Sequence, residues 1–168
     1  MNALKLDEYL IDALVRSTMD GLSMVSITPE PIGSGRYITS SYEVSAIIGF
    51  VGAVSGSVSI NMSAAAAKYL TARLNMGEAQ HAELTGDDLE TICEIVNIIA
   101  GKLKAILSAS ENKIEKISVP SVVVGSNFSL TYSKGMQTLN VEFEIPGVMS
   151  ARRGSEYIFS VYLSMLRS

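Results

Sequence analysis

Apolar residues recur at helical spacing at Tyr9, Leu10, Ala13, Leu14 and Met19, with acids between them and Gly21 as a stop. That pattern predicts a first amphipathic helix from about Asp7 to Asp20, its acids facing water. Pro29, Pro31, Gly33 and Gly35 then break the chain. From Tyr42 to Val54 the pattern is extended, and after a turn at Ser55-Gly56 the positions Val58, Ile60 and Met62 alternate with Ser57, Ser59 and Asn61. This predicts a hairpin with one covered and one wet face. Ser63 is placed to cap an alanine-rich helix from Ala64 to Leu74, ended by Asn75-Met-Gly77. Thr85 or Asp87 then opens a long helix that runs to about Ser108, after a polar connection from Gly77 to Glu83. Val122 to Gly125 reads as a short edge segment. Thr138 to Ile145 and Glu156 to Leu166 alternate apolar and polar residues, which predicts two further strands. Helices and hairpins are segregated, without a repeated strand-helix-strand rhythm, so the fold class is α+β with a largely antiparallel sheet.

The long helix carries two different faces. Leu89, Ile92, Val96, Ile99, Leu103 and Leu107 share one side, while Glu90, Glu94, Asn97 and Gly101 fall within a narrow stripe on the other at about 100° per residue. An Asn and a Glu one turn apart can orient a water or grip a cation, but neither is a nucleophile that attacks unaided. Any catalysis on this stripe works by positioning. Read in isolation, Glu90 and Glu94 are ordinary solvated helix residues, and Asn97 can instead bond a neighbouring loop. Gly101, which costs a helix interior about 1 kcal/mol against Ala, marks either tight packing on the sheet or close approach of a partner.

With 168 residues, 48% of them hydrophobic, the chain is long enough for one well-buried core, and 1–168 is read as a single domain. A net charge of −4 without long basic runs argues against nucleic-acid binding and suits a protein partner. The apolar stretch from Val44 to Met62 is interrupted by Gly49, Gly52, Ser55, Gly56 and Ser57, so it reads as two strands and not as a membrane span. The N-terminus lacks the basic start and unbroken apolar core of an export signal, and a cytoplasmic location is expected. The single cysteine, Cys93, reads as a small buried side chain of the long helix. His81 stands alone in a polar loop without a second histidine, so no metal site is expected. Arg152 and Arg153 read as solvating charge in a turn.

Three pieces in order carry a resemblance: Ile47-Ile-Gly-Phe-Val-Gly52 leading through Gly56-Ser-Val-Ser-Ile60, then Glu94-Ile-Val-Asn97-Ile-Ile-Ala-Gly101, then Val119-Pro-Ser-Val-Val-Val-Gly125. Together they resemble the CheX-like proteins, single-domain relatives of the CheC phosphatases of bacterial chemotaxis. The resemblance implies two long helices packed on one face of the sheet plus the N-terminal helix. It also implies a hydrolase of two-component signalling that removes the phosphoryl group from the aspartate of a CheY-type response regulator. By the same resemblance Asn97 orients the attacking water and Glu94 contacts a lysine of the regulator. Glu90, Ile98 and Gly101 would then touch the partner. No cofactor of its own is implied, Mg2+ being expected on the partner's receiver domain. CheC members usually carry two such helices, but the segment from Asp12 to Asp20 holds no Glu-x-x-Asn, so one centre per chain is expected. The family motif often begins with Asp or Ser where this chain has Glu90, which bears on rate and partner choice.

Such proteins are commonly homodimers. An exposed sheet edge near Val122 to Val124 or Thr138 to Ile145 is the expected place for two chains to meet. The competing reading is a non-catalytic dimeric adaptor that recognises a receiver domain or a flagellar switch component with the same polar stripe and apolar rim. Asn97 separates the two readings, since an adaptor tolerates Ala there with no change in phosphoryl lifetime.

Overall fold

The structure, a computed structural model, describes residues 7–36, 42–75, 83–128, 130–145 and 157–166. Helix α1 (Glu8–Ser23) is followed by strands β1 (Glu30–Gly35), β2 (Tyr42–Gly52) and β3 (Ser55–Met62), then helices α2 (Ala64–Leu74) and α3 (Gly86–Ile106). A 3-10 turn (Leu107–Ala109) leads to β4 (Ile114–Ile117), β5 (Ser121–Phe128), β6 (Gln137–Glu144) and β7 (Ile158–Leu166). The seven strands make one antiparallel sheet in the order β1-β6-β7-β3-β2, and β4 and β5 both pair with the outer edge of β2. This is the α+β arrangement that the alternating strands and segregated helices predict.

Strand register explains the core. Val141, Val161, Ile60, Ala46 and Val122 form one row across five strands, and Phe143, Phe159, Met62 and Val44 form another. The Phe143 and Phe159 rings stack at 5.2 Å between centroids, a geometry that adds to the burial of both rings. Helices α1 and α3 cover this apolar face, and α2 packs beside α3. The helices begin where their caps say. Asp7 and Ser63 accept from the N–H of Leu10 and Ala66. Thr85 and Asp88 form a reciprocal capping box that fixes the start of α3.

The opposite face of the sheet is not wet. Ser45, Ser59, Asn61, Ser160 and Ser164 are buried there. They satisfy one another: Ser45 Oγ donates to Asn61 Oδ1 at 2.6 Å, Asn61 Nδ2 donates to Ser59 Oγ at 3.1 Å, and the Tyr42 hydroxyl donates to Ser160 Oγ at 2.9 Å. Leu130 and Tyr132 of the β5–β6 connection line a small, partly open pocket over this network with Tyr42, Asn61 and Tyr162. Alternation of polar with apolar residues told which side each residue faces, but not that a later segment covers the polar side.

Three further differences have local causes. The β2–β3 turn falls at Ala53-Val54, not Ser55-Gly56, because Ser55 and Gly56 pair with Leu166 and Met165 of β7, while the Ala53 N–H donates to the Lys113 carbonyl at 2.9 Å. Strand β1 forms despite its Pro and Gly content because it is an outer strand, bulged between Pro31 and Gly33, where missing donors are tolerated. Strand β6 is no free edge, since β1 and β7 flank it. Of the two expected meeting edges only that of β5 is left. Among the described residues no helix is long and apolar enough to cross a membrane. His81, Arg152 and Arg153 lie outside the described residues.

Candidate active site on the long helix

Helix α3 buries Ile92, Ile95, Val96, Ile99, Ala100 and Leu103. Its other side presents Glu90, Glu94 and Asn97, all exposed, with Gly101 partly so. Three residues of helical advance place the Glu94 and Asn97 side chains one above the other on the same face. The side chains of Glu90, Glu94 and Asn97 have no hydrogen bond or ion pair with another described residue. Asn97 therefore has no described loop to hold, which was the structural alternative for an Asn between Val96 and Ile98.

Gly101 is also resolved in physical terms. A Cβ built there meets nothing within 4 Å among the described residues, so packing against them does not require the glycine. The close helix contact sits elsewhere: a Cβ on Gly21 of α1 would lie 3.3 Å from the side chains of both Ile98 and Ile99. Ile98 is thus half-buried on the flank where α1 crosses, with only part of its surface left at the rim of the stripe.

Cys93, expected to be buried, is half-buried on the other flank. Burial pushes its thiol pKa up, and the neighbouring carboxylates of Glu94 and then Glu90 push it further in the same direction. A protonated thiol is a poor nucleophile at neutral pH. Among the described residues no three His, Cys, Asp or Glu side chains gather as metal ligands do.

The stripe continues past Gly101. At 100° per residue Lys104 and Ala105 extend the same face, and Ser108 follows in the 3-10 turn. Lys113, brought beside them by the turn into β4, is not on the helix, so no helical spacing foretells it.

The family model "Chemotaxis phosphatase CheX" matches residues 44–144, more than half of the chain, from the start of the β2–β3 hairpin to the end of β6. The chain belongs to the CheX family of chemotaxis phosphatases. Solved structures agree on the fold over nearly the whole length. CheX from Vibrio vulnificus is 21% identical with a TM-score of 0.76, covering 94% of this chain and 99% of that one. A CheC-like superfamily protein from Shewanella sp. PV-4 is 17% identical with a TM-score of 0.79, covering 95% and 99%. A CheX–CheY–BeF3–Mg2+ complex from Borrelia burgdorferi gives 26% identity and a TM-score of 0.71, covering 98% and 99%. No curated protein matches closely enough to be counted a relative. Helix α3 and its polar stripe lie inside the matched CheX region, as do the hairpin and the Val119–Gly125 piece on which the resemblance rests.

Proposed function

We propose that this CheX-family phosphatase hydrolyses the aspartyl phosphate of a CheY-type response regulator, with Asn97 orienting the attacking water and Glu94 docking on a lysine of the regulator. The observation that carries this reading is the pair itself: a carboxylate and a carboxamide one turn apart, exposed and without described partners, on a helix face that the core does not use. The related Borrelia protein is found in a complex with CheY, BeF3 and Mg2+, which supports a receiver as the partner.

An aspartyl phosphate is a reactive mixed anhydride, and a receiver's own Mg2+ and lysine neutralise the phosphoryl oxygens. A placed water is what this chain adds. The Asn97 Oδ1 accepts one hydrogen bond from the water and Nδ2 donates another to a phosphoryl oxygen, fixing the water in line with the leaving carboxylate. The water oxygen forms the new P–O bond, the bond to the aspartate oxygen breaks, and the water proton ends on the phosphate. Glu94 sets depth and register through a charge-assisted contact, and Glu90 adds charge to the same end of the stripe. Gly101 leaves room for the partner's backbone. The chain needs no cofactor of its own for this role.

In the same reading the protein is a homodimer joined along β5. That strand pairs only with β2 among the described residues, and Val119, Val123 and Val124 around it are exposed, a combination that isolated chains rarely leave uncovered.

The deciding experiment follows the decay of a phosphorylated CheY-type receiver, with Mg2+, after adding the native chain, Asn97→Ala or Glu94→Ala. The native chain should shorten the phosphoryl lifetime. Asn97→Ala should lose on the order of 10²-fold or more of that rate, about 2.7 kcal/mol of barrier, while still binding; Glu94→Ala should chiefly raise KM. Equal rates for native and Asn97→Ala would remove the water-orienting role, and binding without any acceleration would turn the reading to an adaptor.

A further inference from the structure

Between the C-terminal half of α3 and β4 lies an open groove of about 480 Å³. Gly101, Ala105 and Ser108, all small, line it on the helix side, and a Cβ on Gly101 would meet nothing within 4 Å among the described residues. Lys104 stands on one side, and Lys113 and Glu115 on the other. We propose that this groove seats an acidic surface segment of the phosphorylated receiver, gripped by Lys104 and Lys113, as a second anchor beside the Glu94–Asn97 pair. The proposal rests on the receiver being the partner of the α3 stripe, and adds where and by what chemistry the receiver is held.

Size and charge both lead there. The stripe from Glu90 to Gly101 is only about 16 Å long at 1.5 Å per residue, whereas a stable complex buries roughly 800 Å² on each partner. Contact must therefore spread beyond the stripe, and the groove is a concavity that continues it. Charge is divided along the helix face: Asp87, Glu90 and Glu94 lie towards its start, and Lys104, with Lys113 beside it, towards its end. In a protein of net charge −4 this groove carries two lysines against one glutamate. The Lys113–Glu115 contact, 3.5 Å with both side chains more than half exposed, is of the kind that contributes little and yields readily to a better partner. A partner lying along α3 must then offer a cation at one end and an anion at the other. A receiver offers the cation, the lysine at its phosphorylation site; the anion it must offer is a set of surface carboxylates about 15 Å further along, at 1.5 Å per residue from Glu94 to Lys104 and apart from those that hold Mg2+.

The test uses the full chain and a receiver from the same cell locked with beryllofluoride and Mg2+. Binding is measured by titration calorimetry at several salt concentrations, and turnover is followed on the phosphorylated receiver. A Lys104→Glu, Lys113→Glu double variant is expected to weaken Kd at least tenfold and to flatten its salt dependence, with KM raised and turnover at saturating receiver within twofold of native. Ala105→Trp, which fills the groove from an exposed position without changing charge, is expected to weaken Kd similarly. Asn97→Ala should show the opposite split, turnover lost and Kd kept. Binding within twofold of native for both groove variants overturns the proposal while leaving the phosphatase reading in place. Failure of the native chain to bind any such receiver overturns both.

Discussion

Glycines on this chain answer different physical demands, and substitution separates them. A Cβ at Gly52 would collide with the Lys113 carbonyl and the Glu115 N–H, both backbone, so Gly52→Ala must shift β4 and should cost several kcal/mol, read as a lowered urea midpoint. Gly101→Ala meets open space and should instead stabilise α3 by up to about 1 kcal/mol, while weakening receiver binding if a partner backbone lies there. Both glycines follow apolar residues, Phe50-Val51 and Ile99-Ala100, and sequence alone offered two explanations for Gly101. Only the neighbours, or their absence, decide. Asn97 is similar. Its type and its spacing from Glu94 are visible in the sequence, but that no described group binds it depends on what the rest of the fold brings near.

Among elements, α3 was the most legible, because its limits are written in local chemistry. Thr85 and Asp88 cap each other's backbone within four residues, so no distant contact is needed to place the start. Thr85→Ala should remove one side of that box and cost about 1 kcal/mol, seen as a fall in Tm with receiver turnover retained at low temperature. The strands that escaped detection, β1 and β4, lack local signals of that kind. One contains Pro31, Gly33 and Gly35, and the other is four residues long. Each exists because a neighbouring strand, β6 or β2, offers its hydrogen-bonding edge. The polar face of the sheet belongs with them. Ser and Asn at alternate positions implied water, and the structure instead buries them in a hydrogen-bonded layer.

For the whole molecule, the sheet order selects between the two edges at which chains were expected to meet. With β6 enclosed, edge pairing through β5 predicts that Val123→Lys combined with Val124→Lys converts a dimer to a monomer by light scattering, with the far-UV spectrum unchanged; a native chain already monomeric at working concentration would reject that interface. Sequence by itself determined the α+β class, the helix starts, the in-out alternation of the strands and the stripe of Glu90, Glu94, Asn97 and Gly101. All of these follow from periodicity and capping, which act over a few residues. Helix α1, by contrast, runs on to Ser23 past Gly21, the expected stop, which is buried against α3. Tertiary structure alone decided which strand edge is free, what covers the polar sheet face, and that Lys113 stands beside the end of α3. Those depend on contacts between residues far apart in the chain, whose register no local pattern records.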